Sequence, residues 1–214
     1  MLYGLLQIPA VQTWVVGKVA KNLSAKLHTK VSVDKVKFRF FNQLMLEGLL
    51  IEDQKKDTLL YAQAAKANVN DWFIFKDKIS LKNIQLNDAI INMNRTDSVW
   101  NYQFLVDFFA TSNDPNKKKK QNLEIDLRQI HFTNIHFTKA DYWIGQSLVA
   151  SLKKFDLLMD SLNFNTKRVA IKEVYLSEPQ FWQSNFTGKR PPQPDIREVL
   201  EKIPVISAFK WNNS

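Results

Sequence analysis

One pattern of apolar residues constrains the fold of this chain more than any other feature. Apolar side chains fall at offsets of zero, two, five, seven, ten and twelve, and the pattern is complete three times. The copies are Ile79, Leu81, Ile84, Leu86, Ala89 and Ile91; Ile125, Leu127, Ile130, Phe132, Ile135 and Phe137; and Val169, Ile171, Val174, Leu176, Pro179 and Phe181. A partial copy runs through Val31, Val33, Val36, Phe38 and Phe41 and fails at Gln43. The starts at 31, 79, 125 and 169 are separated by 48, 46 and 44 residues, so the chain reads as a repeat array. Spacings of two are those of half-buried strands. The expected fold is therefore mainly β: an elongated, curved antiparallel sheet groove built from repeats of about 46 residues.

Each copy shifts phase twice, at pairs such as Lys82-Asn83 and Asn87-Asp88. Each break is either a bulge or a turn. The second carries the turn-prone pairs Asn87-Asp88, Thr133-Asn134 and Ser177-Glu178, which favours a turn or sharp bend there. Further strand-like segments, Leu59 to Asn70 and Leu148 to Asn165, lie between copies. Ala67, Val69 and Trp72 correspond to Leu157, Met159 and Leu162.

Ahead of the β pattern, Ile8, Val11, Val15, Val19, Leu23 and Leu27 form a stripe at helical spacing, with Lys18, Lys21 and Lys26 off it. Pro9 suits a first turn. Met1 to Gly17 carries no charge but is shorter than the roughly 20 apolar residues that span a bilayer. It reads as a shortened membrane anchor or as an amphipathic helix, one that plugs a core or lies at a membrane interface through Ile8, Val11, Val15, Lys18, Val19 and Lys21.

The expected organisation is a helix over 1–29, a first β segment over 30–110 with a short helix at 102–110, a Lys-rich loop at 111–121, a second β segment over 122–187, and a linker with a short helix over 188–214 where the pattern breaks off.

The residues that carry chemistry in enzymes are missing or badly spaced. His28, His131 and His136 have no metal-ligand spacing, there is no cysteine, and five glycines leave little for a phosphate cradle. Glu52-Asp53 reads as a charged strand end, because neighbouring strand residues point to opposite faces. No enzyme activity and no cofactor are expected. The net charge of +9 attracts phosphate on nucleic acid or on lipid headgroups alike. Phe38-Arg39-Phe40 sits in the apolar phase of its copy and reads as a core or groove lining, against nucleic-acid binding.

A long sheet with few helices leaves an apolar face to be covered. If it curls, Leu81, Ile84, Leu86, Ile91, Ile125, Ile130, Phe132, Val169, Val174 and Leu176 line a trough rimmed by basic residues, a shape suited to acyl chains.

Several segments also carry a resemblance. They are Leu5-Leu6-Gln7-Ile8-Pro9-Ala10-Val11-Gln12, Val16-Gly17-Lys18-Val19, Lys30-Val31-Ser32-Val33, Leu46-Glu47-Gly48, Ile51-Glu52-Asp53, Asp57-Thr58-Leu59-Leu60-Tyr61-Ala62 and Arg95-Thr96-Asp97-Ser98-Val99-Trp100-Asn101-Tyr102. Over roughly the first 110 residues the chain resembles TamB-type translocation and assembly module proteins of the AsmA-like superfamily, notably the Bacteroidota-type members. That resemblance implies an inner-membrane anchor, a periplasmic β-groove for phospholipid, an outer-membrane partner of the Omp85 β-barrel type engaged through a C-terminal region this chain lacks, and no catalytic residues. The alternatives are an assembly factor that templates outer-membrane strands by β-augmentation and a structural spacer solenoid.

Overall fold

In a computed structural model, residues 9–39, 43–70, 78–110, 122–163 and 168–191 are described. Helix α1 spans Pro9–Leu27, with proline in its first turn as expected. It ends in a Schellman arrangement: His28 takes a left-handed φ of 53° and the Thr29 N–H reaches the Ser24 carbonyl at 3.2 Å. The Ser24 hydroxyl accepts from the Val31 N–H at 2.8 Å, tying the helix end to the first strand. Leu27, Val31 and Val36 are buried at this junction.

The strands are β1 Val31–Ser32, β2 Lys35–Arg39, β3 Gln43–Glu52, β4 Thr58–Asn70, β5 Lys78–Arg95, β6 Asn122–Asp141, β7 Gln146–Asn163, β8 Arg168–Ser177 and β9 Gln180–Asn185. Helix α2, Gln103–Ala110, follows β5 and closely matches the expected short helix. The nine strands form one sheet in the order β1-β3-β4-β5-β6-β7-β8, with β2 beside β3 and β9 beside β7. It is continuous between the two expected β segments, through the pairing of β5 with β6. The Lys-rich run at 111–121 and the helix expected near 196–202 lie outside the described residues.

The expectation of an antiparallel sheet is corrected at its centre, where β5 and β6 run parallel from Lys78↔Asn122 to Arg95↔Asp141. These strands are the first and second complete copies of the pattern. The described part of their connection holds α2 and no return strand, so both enter the sheet in the same direction. Between the second and third copies β7 supplies the return, and its pairings with β6 and β8 are antiparallel.

Register explains why one pattern serves both pairings. The offsets read the same in either direction, so apolar residues meet apolar residues whether strands run parallel or antiparallel. Val36, Leu46, Ala65, Leu86, Phe132, Phe155 and Leu176 form one row across seven strands. Parallel rows run through Leu44, Ala67, Ile84, Ile130, Leu157 and Val174, and through Val31, Ile51, Leu60, Ile91, Phe137, Ala150 and Phe181. The opposite face is largely polar, as in the row Lys66, Gln85, His131, Asp156 and Tyr175.

The phase breaks have two structures. At the first, Lys82 is skipped in the pairing with β4 and Lys172 in the pairing with β7, so each is a bulge. At the second, Asp88, Asn134 and Glu178 take left-handed φ values of 51°, 53° and 48°. Gly48 joins them at 65°, lying between the pairs Glu47↔Ala64 and Leu49↔Ala62, in line with Asp88. A single line of left-handed residues thus crosses the sheet. At Asp88 and Asn134 the strand runs on, whereas at Glu178 it separates β8 from β9. The expected turn or sharp bend is therefore a strand break only in the third copy.

The core lies on the apolar face at the middle of the sheet. Ala62, Ala65, Leu86, Ala89 and Ile135 are buried, with Leu46, Leu49, Leu60, Ile84, Ile91, Phe132 and Phe137 packed against them. Alanines on β4 admit the larger side chains of both neighbouring strands.

Candidate functional site

Of the residues expected to line a trough, Ile84, Leu86, Ile91, Ile130, Phe132, Val174 and Leu176 fall in the aligned rows on one face. Leu81 pairs with Ile125, and Val169 with Leu162, further along the same strands. Exposure grades steeply across this face. Leu86 is 5% exposed, whereas Leu176 is 38%, Val174 50% and Val169 51% exposed. Ile171 and Phe181 extend the exposed area, so the apolar face is buried or half-buried at β4–β6 and open at β8–β9.

Of the expected interfacial residues, Ile8 lies outside the described residues, and Val11, Val15 and Val19 fall within α1. Lys18 and Lys21 are exposed, and the Lys18 ammonium sits 4.9 Å from the centre of the exposed Trp14 ring. Among the described residues no helix is long and apolar enough to cross a membrane.

At the turn end of the sheet the apolar rows give way to a polar knot. Asp53 and Asp141 are each 1% exposed. The Asp53 carboxylate accepts from the backbone N–H groups of Lys55 at 2.8 Å and Asp57 at 3.0 Å, and from the Asn101 amide at 3.1 Å. Asn101 also donates to the Asn92 carbonyl and accepts from the Asn94 N–H. Asp141 takes a two-pronged contact from Arg95, Nε at 2.8 Å and a terminal nitrogen at 2.7 Å. That guanidinium, helped by the Ile144 N–H, holds the Asp141 carboxyl below its ordinary range against the opposing effect of burial. Trp100 lies 4.7 Å from the Arg95 guanidinium and 5.5 Å from the Lys139 ammonium, and stacks on Tyr102. Between this knot and the start of α2 is a pocket of about 330 Å³ lined by Asp53, Lys55, Asn94, Asp97, Asn101 and Gln103, among others.

The sequence reading missed this knot. Glu52 behaves as the expected charged strand end, paired with Lys30 at 3.1 Å, but Asp53 is buried and fully bonded. A signal was present: Arg95 and Asp141 stand 46 residues apart, the spacing of the first two copies, which a parallel in-register pair converts into adjacency. His131, one of the histidines without metal-ligand spacing, sits half-buried mid-sheet against Asp156. Among the described residues no group of three or more His, Asp and Glu side chains is placed to hold a metal ion.

Neither a protein-family model nor a curated protein matches the chain.

Proposed function

We propose that this chain is a non-enzymatic, membrane-proximal β-groove protein that shelters phospholipid acyl chains in transit between an inner and an outer membrane. The carrying observation is the set of aligned apolar rows from β3 to β8, emerging into the open at Val174 and Leu176. The polar knot ends those rows on one side, and the net charge of +9 favours anionic headgroups beside them. The repeat spacing and the resemblance to TamB-type proteins support the same reading, with an inner-membrane location, a periplasmic groove and an Omp85-type partner as its corollaries. A second reading, templating of incoming strands, is favoured by the exposed edge of β8 and β9.

The test is native mass spectrometry of protein purified from bacteria. Phospholipid that co-purifies with wild type, and is lost from a Val174→Asp/Leu176→Asp variant with unchanged circular dichroism, supports the groove. A folded, lipid-free wild type overturns it. Leu86→Asp and Phe132→Asp probe the covered part of the face and need the same control of folding.

A further inference from the structure

We infer that the β8 edge is a docking site for a second copy of this chain, joining two sheets edge to edge about a twofold axis between Lys172 and Glu173. Every residue of β8 except Ser177 is exposed, and among the described residues β7 is the only strand hydrogen-bonded to it. Among the described residues, the outer backbone donors and acceptors of β8 have no strand partner, as on any sheet edge.

Self-pairing fits because of the bulge at Lys172. The skipped residue brings Ile171 and Val174 to the same apolar face, paired with Met159 and Leu157 of β7. In an antiparallel pair centred between Lys172 and Glu173, Ile171 of one copy stands opposite Val174 of the second, and Val169 opposite Leu176. All four are between 38% and 56% exposed, and they cover one another across the axis. Lys172 of each copy meets Glu173 of the other, giving two opposite-charge contacts.

The register is selective. A slip of one residue in one direction sets Lys172 against Lys172 and Ile171 against Glu173. A slip in the other sets Glu173 against Glu173 and Val174 against Lys172. Both oppose like charges and place apolar residues on the wrong face. The interface is isologous, closes on itself, and keeps the two apolar faces on the same side, so the rows run through from one copy to the other. This pairing does not depend on the lipid-carrier reading.

The experiment is sedimentation equilibrium of the full chain across a concentration series, with circular dichroism as the control for folding. A rise from the 25.0 kDa monomer toward twice that mass is expected. Lys172→Glu alone and Glu173→Lys alone each weaken the association by about tenfold or more. The double variant, which restores opposite charges in the same register, recovers it. A monomer at all concentrations overturns the proposal. A dimer indifferent to both single substitutions overturns the β8 pairing. Neither result bears on whether phospholipid co-purifies.

Discussion

The left-handed line across the sheet is occupied by residues of very different tolerance. Glycine adopts φ of +65° freely, and at Gly48 an added Cβ would also overlap the Asp34 carboxylate. Asp88 and Asn134 tolerate this region, and Asn134 donates to Asp88 at 2.9 Å across the parallel pair. Glu178 is the least suited. Its ion pair with Lys153 is exposed and contributes little. Glu178→Gly should therefore raise stability by up to about 1 kcal/mol, and Gly48→Val should lower it by more than about 1 kcal/mol, both read from urea unfolding. The buried Asp141 supplies a pH test. Its carboxyl titrates lower in the folded chain than in the unfolded one, chiefly through the Arg95 hydrogen bonds. Its stabilisation is thus fully present above the ordinary carboxylate range, about pH 4, and is lost as pH falls through that range toward the depressed value. Asp141→Asn should cost about 3 kcal/mol at neutral pH and remove that part of the acid-induced loss, in unfolding measured from pH 3 to 7.

At the scale of the element, the same pattern position has different energetic meaning in different strands. Leu86 and Leu176 both stand at offset seven and in the same row. Leu86 lies between Ala65 and Phe132 and is buried, so Leu86→Ala leaves a cavity and should cost about 2–5 kcal/mol. Leu176 has its described strand partner on one side, and Leu176→Ala should cost less than about 1 kcal/mol in dilute protein. Equal costs in the two strands would mean that β8 is covered in solution even when dilute. The β6–β7 turn places a second constraint. Gly145 has φ of +82° and meets the backbone of Phe186 and Gly188, so Gly145→Ala should release the tail that follows β9 before it disturbs the central strands. Hydrogen exchange resolves that order.

At the scale of the whole molecule, a covered centre and an open flank predict binding of apolar probes by the native state. An anilinonaphthalene dye should bind at neutral pH without denaturant, and Val174→Asp/Leu176→Asp should reduce the bound fluorescence severalfold while leaving the unfolding midpoint nearly unchanged. Unchanged fluorescence would place the dye elsewhere and count against the open flank as the proposed lipid-binding surface. The polar knot, by contrast, ties together the β3–β4 turn, the end of β5 and the β6–β7 turn, through Asp53, Asn101, Arg95 and Asp141.

Strand content, the shared face of the apolar residues in the aligned rows and both described helices were legible in the sequence, because burial on one face forces a period of two in a strand and a covered helix forces a period near 3.6. The pattern also carried the registers, since its offsets match in either direction. What it did not carry is direction. Whether the two copies separated by α2 lie parallel or antiparallel depends on what the connection builds between them, and the same apolar rows result either way. For the same reason Asp53 read as a strand end. Its burial depends on Asn101, 48 residues away in sequence, and only the folded sheet brings that amide to the carboxylate. Local periodicity reports which face a residue takes, while a partner distant in sequence is chosen by the three-dimensional path of the chain.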